Sequence, residues 1–145
     1  CRSDGETIGL TILDEHNQWQ TPVPLYAPHR GWDLVQVGNC GSPLETEVGW
    51  LVLTHGVGPM RRYAIGALLL DLHHPERVIA ELPGALLAPD GSESSGNVPN
   101  VIYSCGGLVH AGILWLPYGV SDARVGFAAI DLNNLINAME QIPRI

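Results

Sequence analysis

His55 sits six and seven residues ahead of an adjacent pair, Arg61 and Arg62, in the segment "LTHGVGPMRRYA", which interrupts two apolar runs. A second segment, "LPYGVSDARVG", carries Tyr118, Ser121, Asp122 and Arg124, and a third, "VPNVIYSCG", carries Asn100 and Tyr103. Imidazole and guanidinium groups donate charge-assisted hydrogen bonds, the combination that holds an oxyanion. Carboxylate, phenol and amide groups are the types that grip hydroxyls. Each residue also has a plainer reading. A histidine that ends a strand is commonly a hydrogen-bonded structural residue. Arg61 and Arg62 fit a solvated hairpin tip, where strand alternation lets at most one of them point inward, and Asp122 fits a turn stabiliser.

The elements that carry these residues recur. "IGLTILD" (8–14), "IGALLLD" (65–71) and "VGFAAID" (125–131) share a β-branched residue, a glycine, an apolar stretch and a closing aspartate, at intervals of roughly 60 residues. Upstream, "THGV" and "PYGV" put His55 and Tyr118 in equivalent places, and "NCGSPLET" and "SCGGLVHA" align Cys40 with Cys105. Each unit therefore reads as a meander of strands A, B and C, with "ERVIAEL" as a fourth strand D in the first full unit. Four-stranded meanders repeated along a chain are the blades of a β-propeller. A β-sandwich containing two similar hairpins is the competing architecture. Leu132, Leu135, Ile136 and Met139 recur at helical spacing, which predicts a short C-terminal helix over 132–141. The single domain 1–145 then divides into the outer strands of one blade (6–27), a full blade (35–82), an incomplete blade (100–131) and that helix.

In an antiparallel meander the B-to-C turns and D-to-A connections fall at one end of the blades. His55, Arg61, Arg62, Asn100, Tyr118 and Asp122 are all expected there, where convergent loops form ligand sites. "DLHHPERV" belongs to the other end. His73 and His74 are adjacent, so a strand would point them to opposite faces, and no metal site is expected. Trp19, Trp50 and Trp115 fit packing between blades, Trp32 is ambiguous, and Cys40 and Cys105 read as buried thiols on inner strands.

Totals narrow the partners. The 145 residues are 46% hydrophobic, enough for a real core. A formal charge of −8, with seven arginines and no lysine, argues against a nucleic-acid surface, which needs clustered cations. No apolar run approaches the ~20 residues of a membrane helix, and the opening "CRSDGETIGL" lacks the regions of a signal peptide. Three cysteines without metal-type spacing fit a reducing compartment, so a cytoplasmic location without membrane attachment is expected. The chain opens at Cys1 rather than methionine, which leaves room for a longer gene product. About two and a half blades fall short of the ~4 needed to close a ring. Open blade edges invite pairing with another chain, so self-association, most simply as a homodimer, is expected.

"GWLVLTHGV", "YAIGALLLDLHHPERVI", "GNVPNVIYSCG" and "YGVSDARVGFAAIDL", in that order, resemble the C-terminal half of glycoside hydrolase family 130, the β-mannoside phosphorylases and β-mannosidases, from Trp32 to about Met139. The resemblance implies an all-β fold that is part of a five-bladed β-propeller, a sugar site on its axis, and no metal or organic cofactor. It also implies that His55 binds phosphate, that Asp122 contacts mannosyl hydroxyls and that Tyr103 lies near the sugar. The family's general acid belongs to a Glu-Asp-Pro-Arg type of motif in the N-terminal blades, and that motif does not occur here. "SESSGN" (92–97) departs from the aromatic-acidic pattern that usually precedes "VPN", which bears on acceptor contacts. The expected function is that of a truncated mannoside phosphorylase or hydrolase module, inactive alone. The alternative is a homo-oligomeric protein that binds a carbohydrate or anion without chemistry.

Overall fold

The computed structural model describes residues 6–90 and 98–143. "SESSGN" and most of the loop 88–97 lie outside the described residues. Three antiparallel sheets stand in a row. The first pairs β1 (Ile8–Leu10) with β2 (Val23–Tyr26). The second runs outward from β3 (Gln36–Asn39) and β4 (Leu44–Thr46), both paired with β5 (Gly49–Gly58), through β6 (Arg62–Leu70) to β7 (Val78–Glu81). The third holds β8 (Ile102–Tyr103) and β9 (Leu108–His110), both paired with β10 (Ile113–Val120), and then β11 (Arg124–Asp131).

Period-two patterning explains why the sheets stack. On β5 and β6, Leu51, Leu53, Ile65, Ala67 and Leu69 face the third sheet and join Leu114, Leu116, Ile102 and Val120 in one core. Val52, Leu68 and Leu70 face the other way and join Ile8, Tyr26 and Val37 in a second core. A central sheet apolar on both faces must be covered on both, and here it is. Two cores between three layers replace the single interior that a two-layer sandwich would have.

Strand A is broken in both the full blade and the incomplete one. β3 and β4 flank a bend at Gly41 (φ 81°), and β8 and β9 flank one at Gly106 (φ 127°). Asn39 Nδ2 donates to the Gly41 carbonyl at 3.1 Å, and Ser104 Oγ donates to that of Gly106 at 2.9 Å. The two bends touch: a Cβ on Gly41 would lie 2.3 Å from the Cys105 carbonyl oxygen, so this position requires glycine. In the first repeat the strand stops at Leu10 rather than Asp14, because Asp14 Oδ1 accepts the amides of His16 and Gln18 and turns the chain.

Three expectations are corrected. The helix α1 (Leu132–Asn137), capped by Asp131 Oδ1 on the Asn134 amide at 2.8 Å, ends well before 141. Beyond it Met139 turns into the core, and β12 (Glu140–Gln141) pairs with β7, which would otherwise be an open edge. Trp19 and Trp115 are 70% and 45% exposed, so neither packs between the sheets present; Trp50 is half-buried and donates to the Leu72 carbonyl at 3.1 Å. Cys40 is buried, but Cys105 is exposed, because its bend carries it to the sheet's inner edge.

A polar tie locks the first sheet to the second. Glu81 is buried and accepts from Tyr26 Oη at 2.6 Å, from His29 Nε2 at 3.1 Å and from Arg30 Nη2, which also reaches Glu140 at 2.8 Å. Burial pushes the Glu81 carboxyl up, but the hydrogen bonds from Tyr26, Arg30 and His29 outweigh it and hold the group below its ordinary range. Burial, then the bond to Glu81, drives the Tyr26 phenol far above its ordinary value, so it stays a donor.

Candidate functional site

The two B-to-C turns share a strained geometry. Between β5 and β6, Arg62 N–H donates to the Pro59 carbonyl while Met60 (φ 59°) and Arg61 (φ 55°) are both left-handed. Between β10 and β11, Ala123 N–H donates to the Val120 carbonyl at 3.0 Å while Ser121 (φ 52°) and Asp122 (φ 50°) are left-handed. Both are turns of the type that matches hairpin twist, built without the glycine or asparagine that makes them cheap. Asn100 (φ 62°) lies at the same end. Its carbonyl accepts the Tyr63 amide at 3.0 Å, and the next carbonyl, of Val101, accepts the Ser121 amide at 2.8 Å, which joins the turns of neighbouring sheets. Left-handed non-glycine residues cost about 1–3 kcal/mol each and gather at functional sites.

Register sorts the candidates into two groups. His55 pairs with Gly38 and shares with Ile65 the face toward the third sheet. Its ring lies flat over Gly38, where a Cβ would come within 2.5 Å of Cε1, and its Nδ1 is 3.9 Å from Cys40 Sγ. Burial pushes the Cys40 thiol up to about 11, so it is a neutral neighbour. Across the joined bends, Tyr103 Oη lies 3.1 Å from Cys105 Sγ. The Tyr103 phenol is raised chiefly by this bond, with the Asp122 carboxylate and Cys40 contributing through space, which sets Tyr103, Asp122 and the two thiols in one electrostatic neighbourhood. Tyr118, the repeat's counterpart of His55, covers Gly126 in the same manner and packs against the core between the sheets. His55, Tyr103 and Asp122 thus belong to the inner strands and the turn above them.

Arg62 departs from this group. It lies on the opposite face of β6, with Ala64 and Gly66, and its Nη2 donates to the Pro89 carbonyl. Arg62 and Asn100 line a separate cavity of about 630 Å³ with Trp32, Pro59, Met60 and Asp90. Arg61 is exposed at the turn tip. Trp32, ambiguous in the sequence, is the residue that reasoning from pattern missed. Its ring lies over Gly56 and Gly66, where added Cβ atoms would each come within 2.3 Å of it. Two glycines facing the same side of paired strands were the available signal for a flat ring.

At the other end, Asp71 Oδ1 accepts the amides of His73 and His74 at 2.9 and 3.0 Å, so "DLHH" is a capped turn. Among the described residues no group of three His, Cys, Asp or Glu side chains is placed to hold a metal ion. No helix of the described residues is long and apolar enough to cross a membrane.

Stacked antiparallel meanders, with polar side chains gathered where inner strands meet the turns, define a section of a β-propeller with a candidate site at one end. The chain belongs to glycoside hydrolase family 130: the family profile described as β-1,4-mannooligosaccharide phosphorylase matches residues 4–141. It is 32% identical over 130 residues to a 1,2-β-oligomannan phosphorylase of Thermoanaerobacter sp. (strain X514), covering 88% of this chain and 44% of that protein. It is 38% identical over 101 residues to a β-1,2-mannobiose phosphorylase of the same organism, covering 69% of this chain and 33% of the relative. The solved β-1,2-mannobiose phosphorylase of Listeria innocua, in complex with β-1,2-mannobiose, superposes with a TM-score of 0.85 at 28% identity, over 95% of this chain and 40% of that one. The chain spans less than half the length of these relatives and matches part of the family's five-bladed propeller.

Proposed function

We propose that this chain supplies the phosphate- and mannosyl-binding part of a β-mannoside phosphorylase site and does not turn over efficiently alone. The observation that carries the reading is the contact between the Gly41 and Cys105 bends, which joins the inner strand that sets Cys40 beside His55 to the inner strand that sets Cys105 beside Tyr103. Phosphorolysis with inversion needs an acid to protonate the leaving oxygen and an oxyanion that attacks the anomeric carbon from the opposite face. Phosphate arrives already ionised, so it needs hydrogen-bond donors and no base. The His55 imidazole donates to a phosphate oxygen, the Asp122 carboxylate accepts from mannosyl hydroxyls, and the Tyr103 ring flanks the sugar. No Glu-Asp-Pro-Arg segment occurs among the 145 residues to bring the general acid. Its loss removes about 10²–10⁴-fold in rate.

Titration calorimetry with mannose 1-phosphate and with inorganic phosphate tests binding, and release of mannose 1-phosphate from β-1,2-mannobiose and phosphate tests turnover. Saturable binding that weakens at least about tenfold in His55→Ala and in Asp122→Ala, roughly 1.4 kcal/mol, is expected, with no measurable release. Binding unchanged in both variants overturns the assignment. Robust release by the pure chain overturns the claim of inactivity.

A further inference from the structure

Gly38 and Cys40 both meet the His55 ring from the strand beside it. β3 pairs with β5 in the register Gly38–His55, and a Cβ on Gly38 would lie 2.8 Å from Nε2, so glycine is what lets the ring lie across that strand. Cys40 follows two positions later. Period-two alternation returns its side chain to the face of Gly38, and its amide continues the ladder by donating to the Leu53 carbonyl at 2.7 Å. The thiol therefore meets the edge of the ring, with Sγ 3.9 Å from Nδ1. Cys40 is buried in the core between the second and third sheets. Its equivalent in the next blade stands differently. There Tyr118 takes the place of His55, and Cys105 is exposed, with Sγ 3.1 Å from Tyr103 Oη. The buried thiol goes with the imidazole.

The chemistry of that contact is one-sided. Burial raises the Cys40 thiol to about 11, so it keeps its proton at neutral pH. A neutral thiol has a proton to give and accepts poorly. A protonated Nδ1 would face that sulfur with its own bond barely made, which is costly away from water. Both groups are satisfied when the lone pair sits on Nδ1, and the partner of one ring nitrogen decides the state of the other. We infer that Cys40 is a positioning residue for His55: its thiol donates to Nδ1 and holds the imidazole as the tautomer protonated at Nε2. A ring fixed in that tautomer presents a donor at Nε2, which is what an oxyanion requires. The consequence for phosphate rests on the reading given above; the tautomer does not.

Nitrogen-15 spectra of the chain labelled in its histidine rings, taken in alkaline solution where imidazole is neutral, read the tautomer directly. His55→Gln identifies the signals by their loss. The expected wild-type pattern is a protonated Nε2 and an unprotonated Nδ1. Cys40→Val, close in volume and without a donor, should shift His55 toward a mixture of tautomers. Cys40→Ser keeps a donor on the same Cβ and should return the wild-type pattern. In calorimetry with inorganic phosphate, Cys40→Val should bind about three- to tenfold more weakly, the worth of one modest hydrogen bond, and Cys40→Ser should recover that loss. A purely structural role for Cys40 would leave the tautomer where it was. A wild-type ring protonated at Nδ1 overturns the inference, whatever the variants do. So does a Cys40→Val spectrum identical to that of wild type. If the wild type binds no phosphate while the tautomer follows Cys40, the phosphate reading fails and the positioning role stands.

Discussion

Replacing Tyr26 by Phe removes one oxygen atom from the tie between the first two sheets, and its effect can be worked from geometry. Tyr26 Oη donates at 2.6 Å to Glu81 Oε2, and both residues are buried. A hydrogen bond to a charged acceptor is worth about 1.5–3 kcal/mol, and the abandoned carboxylate oxygen stays buried without a replacement donor. The expected loss is therefore about 2 kcal/mol, a fall in Tm of roughly 4–8 °C at this chain length. Glu81→Gln costs more, about 3 kcal/mol, because Arg30 and His29 lose their charged acceptor together with Tyr26. The double variant should cost about what Glu81→Gln costs alone, since Tyr26 then has no carboxylate left to lose. Urea unfolding at pH 7, monitored by circular dichroism, measures all three. A Tyr26→Phe variant within about 0.5 kcal/mol of wild type, or strictly additive losses, would show that the tie is not a coupled buried cluster.

Stability should pass through a maximum in mildly acid solution. Glu81 is held below its ordinary 4.5, so its contribution is full above that pH and is lost as pH falls through the lower folded value; Glu81→Gln should flatten this acid limb in thermal scans. His29 is raised above 6.5, first by its bond to the Ala27 carbonyl, so its contribution is full below 6.5 and is lost as pH rises through the folded value; His29→Gln should remove that limb. Gly38→Ala sets a Cβ 2.5 Å from His55 Cε1, which forces the ring aside; calorimetry should find phosphate binding weakened about tenfold while the fold persists at a cost of about 1–3 kcal/mol. Met60→Asn places a residue tolerant of the left-handed region at φ 59° with an almost fully exposed side chain, and thermal unfolding should show a gain of about 0.5–1 kcal/mol.

Strand content, the recurrence of the meander and the end of the blades that gathers polar residues were legible in the sequence, because they depend on local alternation and on a period that repeats. β5, β6, β10 and β11 follow the apolar runs closely, and the two hairpin turns fall where "GPMR" and "SDA" interrupt them. Pairing between residues far apart in sequence was not legible. Glu81 meets Tyr26 across 55 positions, and Arg30 meets Glu140 across 110; no local pattern encodes such distances. Only the third dimension stops α1 at Asn137, since the competing interaction is an open edge of β7 more than fifty residues upstream. It likewise sets Arg62 on the face away from His55, lays Trp32 across two glycines and leaves Cys105 exposed while Cys40 is buried. Alternation fixes that neighbouring residues point to opposite faces; which face meets a core, a cavity or solvent is decided by the layers stacked on either side.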